Sequence, residues 1–265
     1  MTDYLAAILS RKRLENQRRR RHLAARPEVA RTPEPERGRR AIEALRRPPG
    51  APPAVMAEVK FRSPSAGELR PNAPGEGVRV ALGYERGGAA VVSVLADGPG
   101  FGGSPLLVRR VTQSVHVPVL YKGFVLDPIQ VELAFDVGAS FVLLLVRALE
   151  QTELRTLVDV TRHLGMEPVV EAANAEEVDR AIAAGSTVIG VNARDLSSFR
   201  VDRLAAAACV SRIPRESVAV FMSGVRSAED FREVAAGRAD AVLIGEGLMR
   251  AEDPGARLQE LLRSA

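Results

Sequence analysis

The chain has 265 residues, 46% of them hydrophobic and 22 of them glycine, enough to bury one sizeable core. Its formal net charge of +4 is unevenly placed: residues 1–50 carry 14 Lys and Arg against 6 Asp and Glu, net +8, which leaves −4 for the rest. The lone Cys209 excludes an intrachain disulfide, His22, His116 and His163 lack metal-ligand spacing, and no apolar run approaches the ~18 residues of a membrane span. With no signal-like apolar stretch at the start, the expectation is a soluble cytoplasmic protein that holds no metal.

The first segment in chain order is basic. RKRLENQRRRRH (11–22) has the charge to meet nucleic acid or an acidic partner, but no aromatic residues interleave with the arginines to stack on bases. A solvated arginine-rich helix is the favoured reading, with nucleic acid not expected as a partner. RRPPGAPPA (46–54) is then a Pro/Gly linker that ends any helix, dividing a helical extension over 1–50 from a second domain over 51–265.

Beyond the linker, short apolar and β-branched runs alternate with segments of helical period. The strands expected are VMAEVK (55–60), AVVSVLAD (90–97), PVLYKGF (118–124), FVLLLV (141–146), PVVEA (168–172), TVIGVN (187–192), VAVFMSG (218–224) and AVLIGEG (241–247). Helices are expected in DPIQVELAFDVGA, TELRTLVDVTRHLG, AEEVDRAIAAG and AEDFREVAAG, each followed by the glycine that commonly closes a helix. Eight strand–helix units in this length predict an α/β fold, a (β/α)8 TIM barrel with an N-terminal helical extension. An open doubly wound sheet is the alternative, and it lacks the Gly-rich loop expected after an early strand.

A barrel places its chemistry at the C-terminal ends of its strands, and polar residues gather there. The ends carry Glu58 and Lys60, Lys122, Glu171, Asn192 with Arg194 two residues on, Ser223-Gly224, and Gly245-Glu246. Glu58 and Lys60, two apart on a strand, share a face. An ion-pair layer inside the barrel is the other reading of these charges, since buried charges need partners. Lysine itself is scarce, three of 37 basic side chains, and two of the three end predicted strands. Arginine does not release its proton near neutral pH, whereas a lysine can be tuned to. Mutual pairing among these acids and lysines could bring a lysine toward working pH. Ser63 and Ser65 in the loop after the first strand, with the glycines of SGVRSAED and GEGLM, suit a phosphorylated small-molecule substrate.

Taken in order, AEVKFRSPSAG, YKGFVLDPIQ, PVVEA, IGVNARDLSSF, the SGV turn and LIGEGLMRAEDPGA resemble the indole-3-glycerol-phosphate synthase family over about residues 50–265. The resemblance implies a lyase of tryptophan biosynthesis. It would convert 1-(2-carboxyphenylamino)-1-deoxyribulose 5-phosphate to indole-3-glycerol phosphate, CO2 and water, as a monomer without a cofactor. It implies Lys122 as the general acid at the ketose carbonyl. Lys60 would meet the substrate carboxylate or phosphate and donate a later proton, and Glu171 would be the base of the dehydration. Glu58 would hold the lysines and substrate hydroxyls, Asn192 would position substrate, and Arg194 would support the carboxylate or the charged network. Phe124 and Ser223 would bind substrate, and Ser63, Gly224, Gly245 and Glu246 would hold the phosphate. Several positions depart from the family: Gly123 stands where Lys-Asp-Phe is usual, Met222 where Glu-Ser-Gly is usual, Ala172-Ala173 where Val-His or a similar pair is common, and Tyr121 where a smaller or basic residue is more familiar. Met222 would offer an altered aromatic ring an adaptable apolar contact.

Three other functions are weighed. A divergent paralogue would take a modified anthranilate derivative, and an inactive one would still bind sugar phosphate or act in regulation. The sister enzyme phosphoribosylanthranilate isomerase needs a Cys–Asp pair, and Cys209 lies in a helical run, AAACV, away from any strand end.

Overall fold

Parallel strands buried on both faces need apolar residues at nearly every position, and the eight expected runs supply them. In the computed structural model, which describes residues 4–24, 30–195 and 199–264, these runs close into one parallel barrel. Its strands are β1 (Ala54–Val59), β2 (Val91–Leu95), β3 (Val119–Lys122), β4 (Phe141–Leu145), β5 (Glu167–Ala172), β6 (Val188–Asn192), β7 (Val218–Met222) and β8 (Ala241–Ile244). Each pairs with its neighbours in sequence, and β1 closes the ring on β8 with Ala54 opposite Ala241. All eight runs are therefore strands of one closed barrel, and the open sheet is excluded.

Period-two alternation divides the core in two. Met56, Val91, Leu120, Phe141, Leu143, Val169, Val188, Val220, Met222 and Leu243 fill the barrel, while Ala57, Val92, Tyr121, Val170 and Ile189 face the surrounding helices. Those helices are α3 (Glu76–Arg86), α4 (Pro105–Thr112), α5 (Pro128–Asp136), α6 (Gln151–His163), α7 (Ala175–Ala183), α8 (Arg203–Ser211), α9 (Ala228–Ala235) and α11 (Pro254–Arg263), with the short α10 (Glu246–Met249) directly after β8. Side-chain caps fix where several begin: Ser104 accepts from Leu107 N–H, Asp127 from Ile129 N–H, and Ser227 forms a capping box with Asp230.

The two N-terminal helices take opposite ends of the barrel. α2 (Pro35–Leu45) plugs the end where the strands begin, with Ala41 and Leu45 fully buried against the interior cluster. α1 (Tyr4–Ala24) lies across the other end. Its Asn16 amide donates 2.8 Å to Gln130, and the Arg20 guanidinium grips Asp127 through both carboxylate oxygens. The basic run is thus only in part a solvated face. Arg13, Arg18 and Arg21 are exposed, but Lys12 keeps only 12% of its side-chain surface and pairs with the buried Asp97. Residues 1–3 and 25–29 of the extension, and 196–198 of the NARDLSSF segment, lie outside the described residues. Among the described residues no helix is long and apolar enough to cross a membrane.

Candidate active site

The ends of β1 and β3 bring the two strand lysines to a single acid. Glu58, 1% exposed, accepts Lys60 Nζ at 2.6 Å on Oε1 and faces Lys122 Nζ at 3.0 Å on Oε2. The strands fix this arrangement: Glu58 lies on β1 with Lys60 one residue past its end, and Lys122 closes β3, one strand beyond β2. Room for the carboxylate comes from β8, since a Cβ at Gly245 would lie 2.5 Å from Glu58 Oε1.

The electrostatics follow from this geometry. Burial alone would push the Glu58 carboxyl upward, but Lys122 and Lys60 outweigh it and hold the acid at about 2. Burial works against the Lys122 ammonium too, yet Glu58 and Glu171 outweigh it and raise this lysine above its ordinary value. The expected drift of a lysine toward neutral pH is therefore reversed for Lys122. Two acids face it, so it stands fully protonated at neutral pH.

Across the mouth, Asn192 at the end of β6 donates 2.9 Å from Nδ2 to Glu171 Oε1 and accepts the Arg194 backbone N–H at 3.0 Å. The Arg194 guanidinium lies 3.5 Å from Glu246 Oε2, tying the loop after β6 to the start of α10. After β7 the backbone turns left-handed at Ser223 (φ 68°) and Gly224 (φ 85°); such a conformation is rare for serine and strained. Ser63 belongs to a small antiparallel hairpin, Arg62–Ser63 with Gly67–Glu68, and its hydroxyl accepts from Ala66 N–H at 3.2 Å. Phe124 packs on Phe101 with ring centroids 5.9 Å apart.

These groups line one cavity. Glu58, Lys60, Lys122, Glu171 and Asn192 meet there with Arg194, Ser63, Phe124, Ser223, Gly224, Gly245 and Glu246. Several others escaped the sequence reading. Tyr4, Leu5 and Ile8 of α1 reach the cavity, as do Phe101, Phe199 and Arg226. Tyr4 and Ile8 are four apart, a helical spacing that was available as a signal but was masked by the arginines that follow.

Gly123 and Met222, two of the departures from the family pattern, behave differently. Gly123 lines the cavity beside Lys122. Met222 is 0% exposed and does not reach the cavity; its thioether end packs where a side chain at Gly190 would collide with it. The expected contact between Met222 and a substrate ring is therefore absent, and the residue props β6 beneath Asn192, with which it is in register. Cys209 sits in α8, away from the strand ends. Among the described residues no three His, Cys, Asp or Glu side chains converge as a metal site would need.

Solved structures of similar fold include 3-hexulose-6-phosphate synthase from Salmonella typhimurium (TM-score 0.65, 15% identity, 80% of this chain and 97% of that one). Another is thiamine phosphate pyrophosphorylase from Pyrococcus furiosus (TM-score 0.59, 17% identity, 86% and 97%). Both support the fold alone. The indole-3-glycerol phosphate synthase family model matches residues 5–261. An indole-3-glycerol phosphate synthase of Mycobacterium ulcerans is 43% identical over 221 residues, covering 83% of this chain and 80% of that protein. Indole-3-glycerol phosphate synthase 2 of Streptomyces coelicolor is 42% identical over 265 residues, 99% of this chain and all of that protein. With the strand-end acids and lysines gathered in one cavity, this chain belongs to the indole-3-glycerol phosphate synthase family of decarboxylating carbon–carbon lyases.

Proposed function

We propose that this cavity closes the indole ring on 1-(2-carboxyphenylamino)-1-deoxyribulose 5-phosphate, with Lys122 as general acid. The observation that carries the reading is the pairing of Lys60 and Lys122 on the one buried Glu58, with Glu171 and Asn192 opposite. Ring closure interrupts aromaticity, so its barrier falls only if the ketose carbonyl gains a proton while the attacking carbon is held in reach. Lys122, kept charged by Glu58, gives that proton as the carbon–carbon bond forms. CO2 then leaves and returns its electron pair to the ring. Lys60 protonates the departing hydroxyl while Glu171 removes a proton from the substrate, completing loss of water.

Phosphate recognition falls to Ser63, the Ser223-Gly224 turn and the backbone of Gly245 and Glu246, on the side of the mouth where such barrels commonly hold phosphate. Arg194 meets the substrate carboxylate, and Phe124 lies along the anilino ring. A cytoplasmic monomer that needs no cofactor completes the reading, to be checked by sedimentation and by turnover in chelator-treated buffer. The chain contains no tryptophan, so indole fluorescence reports product without an indole background from the protein. Mixing the protein with this substrate should generate indole fluorescence, and Lys122→Met should lower kcat by roughly 10²–10⁴-fold, the range of general acid catalysis. No turnover by the parent, or full turnover by Lys122→Met, would refute the assignment. Gly123 favours one second reading, a substrate whose anthranilate ring bears a substituent, because it leaves the cavity wall beside Lys122 without a side chain. That reading requires faster turnover of a ring-substituted derivative than of the parent compound.

A further inference from the structure

Along its middle, α1 is clamped to the barrel by Arg11 and Lys12 on Asp97, Asn16 on Gln130 and Arg20 on Asp127. Its first turn runs past these clamps and over the cavity. There Tyr4 meets Phe199 edge to face, with ring centroids 6.4 Å apart and planes at 65°. The Tyr4 hydroxyl also stands over Gly100 in the loop after β2, close enough that a methyl on that glycine would collide with it. Tyr4 therefore bridges two loops that rise from opposite sides of the mouth.

Phe199 is held in an unusual way. Its backbone is left-handed (φ 58°), a conformation bulky residues rarely adopt. Its N–H donates 2.8 Å to Asp195 O, and its carbonyl accepts from Arg194 Nη1 at 3.3 Å. The strained backbone thus presents the ring to Tyr4 and, through the same residue, touches the guanidinium that faces substrate.

We propose that Tyr4 and Phe199 form an aromatic roof that encloses the substrate and sets how readily ligands and water reach Lys60 and Lys122. The proposal rests on the assignment of this cavity as the active site. The geometry supports it on two counts. Both rings line the cavity, and they come from segments nearly 200 residues apart whose rings meet edge to face over its mouth. An edge-to-face ring pair is an apolar contact of modest strength, of the kind a reversible closure can make and break.

The composition supplies a test that does not depend on turnover. The chain has three lysines, and two lie beneath the roof, so acetylation by acetic anhydride followed by mass spectrometry reads the mouth directly against the N-terminal amine. Tyr4→Ala and Phe199→Ala should each speed acetylation of Lys60 and Lys122 by roughly two- to tenfold, the scale of one edge-to-face aromatic pair. The double variant should add little to either single change, and Tyr4→Phe, which keeps the ring, should restore protection. Lys12 should stay at its parental rate, because it belongs to the clamp on Asp97. In turnover the effect should fall on KM more than on kcat.

Parental labelling in both alanine variants would overturn the roof, as would independent, multiplying effects in the double variant. Faster labelling of Lys12 as well would also overturn it, because α1 would then have undocked as a whole. The two readings fail separately. A parent that makes no indole but whose labelling responds refutes the synthase assignment, whereas a parent that makes indole with unresponsive labelling refutes the roof.

Discussion

Two buried carboxylates at the same end of the barrel each face two cations, and their settings have little else in common. Glu58 pairs with Lys60 and Lys122, which both line the cavity and keep 19% and 16% of their side-chain surface. Asp97 pairs with Arg11 and Lys12, consecutive residues of α1 that lie outside the cavity lining. The first cluster is strand-borne: its cations cannot leave without breaking the barrel, but a substrate anion can draw on them. The second is helix-borne. Its cations reach solvent if the helix lifts, and its one task is to hold the helix down. On the proposed function, the same charge arithmetic serves as a proton source in one place and as a fastening in the other. Which of these a pair becomes depends on whether the backbone beneath its cations can move.

Removing each carboxylate in turn breaks the comparison. Glu58→Gln should have the larger effect, because two ammonium groups remain beside the cavity with no acid between them. Taking one partner from a buried pair costs about 3 kcal/mol or more, or roughly 6–12 °C in Tm for a chain of this size. The signs on pH follow from the two shifts. Glu58, held at about 2, contributes stability above the ordinary carboxylate range and loses it as pH falls through about 2. Lys122, raised, contributes below the ordinary lysine range and loses its contribution as pH rises through its higher folded value. In Glu58→Gln the acid-side dependence near 2 should vanish and the alkaline limit of kcat should move to lower pH. A drop in kcat of about 100-fold should accompany it, seen in a pH–rate profile by indole fluorescence.

Asp97→Asn should cost less, about 1–2 kcal/mol, because Arg11 keeps a third of its side-chain surface and both cations can turn to water. Calorimetry should show Tm lower by a few degrees. Kinetics should show KM higher, with kcat much closer to the parent than in Glu58→Gln. Equal losses of kcat in the two variants would remove the distinction between proton source and fastening.

The contrast also explains what the sequence could and could not disclose. The strand-borne cluster was legible because a charge at the end of an apolar β-branched run stands out, and a barrel brings all such ends to one rim. Lys60, Lys122 and Glu171 were found that way without any knowledge of their partners. The helix-borne cluster was not legible. Lys12 sits among six arginines between positions 11 and 22, and nothing local distinguishes the cation that meets a buried acid 85 positions away from its solvated neighbours. Asp97 was read as the tail of a strand, and its burial depends on α1 crossing the mouth. Met222 failed for a related reason: a substitution next to a motif invites a role in the site, but the barrel's alternation turns this residue into the interior against Gly190.

Gly123 offers the smallest perturbation, and it bears on the strand-borne cluster alone. Its backbone is not left-handed, and an added Cβ would meet Tyr121 Cε1 at 3.2 Å and Ala96 Cβ at 3.6 Å, so a side chain enters with a shift of a few tenths of an ångström. Gly123→Asp would supply the carboxylate usual in the family, as a further acid beside a lysine that Glu58 and Glu171 already raise. Lys122 is already fully charged at neutral pH, so more negative charge cannot increase the amount of acid form. The expected outcome is a kcat within about threefold of the parent at neutral pH, an alkaline limit moved to higher pH, and stability changed by no more than about 1 kcal/mol. A large gain in kcat at neutral pH would mean that the missing carboxylate orients Lys122 rather than charging it, and that Glu58 alone does not hold the proton source in its working position.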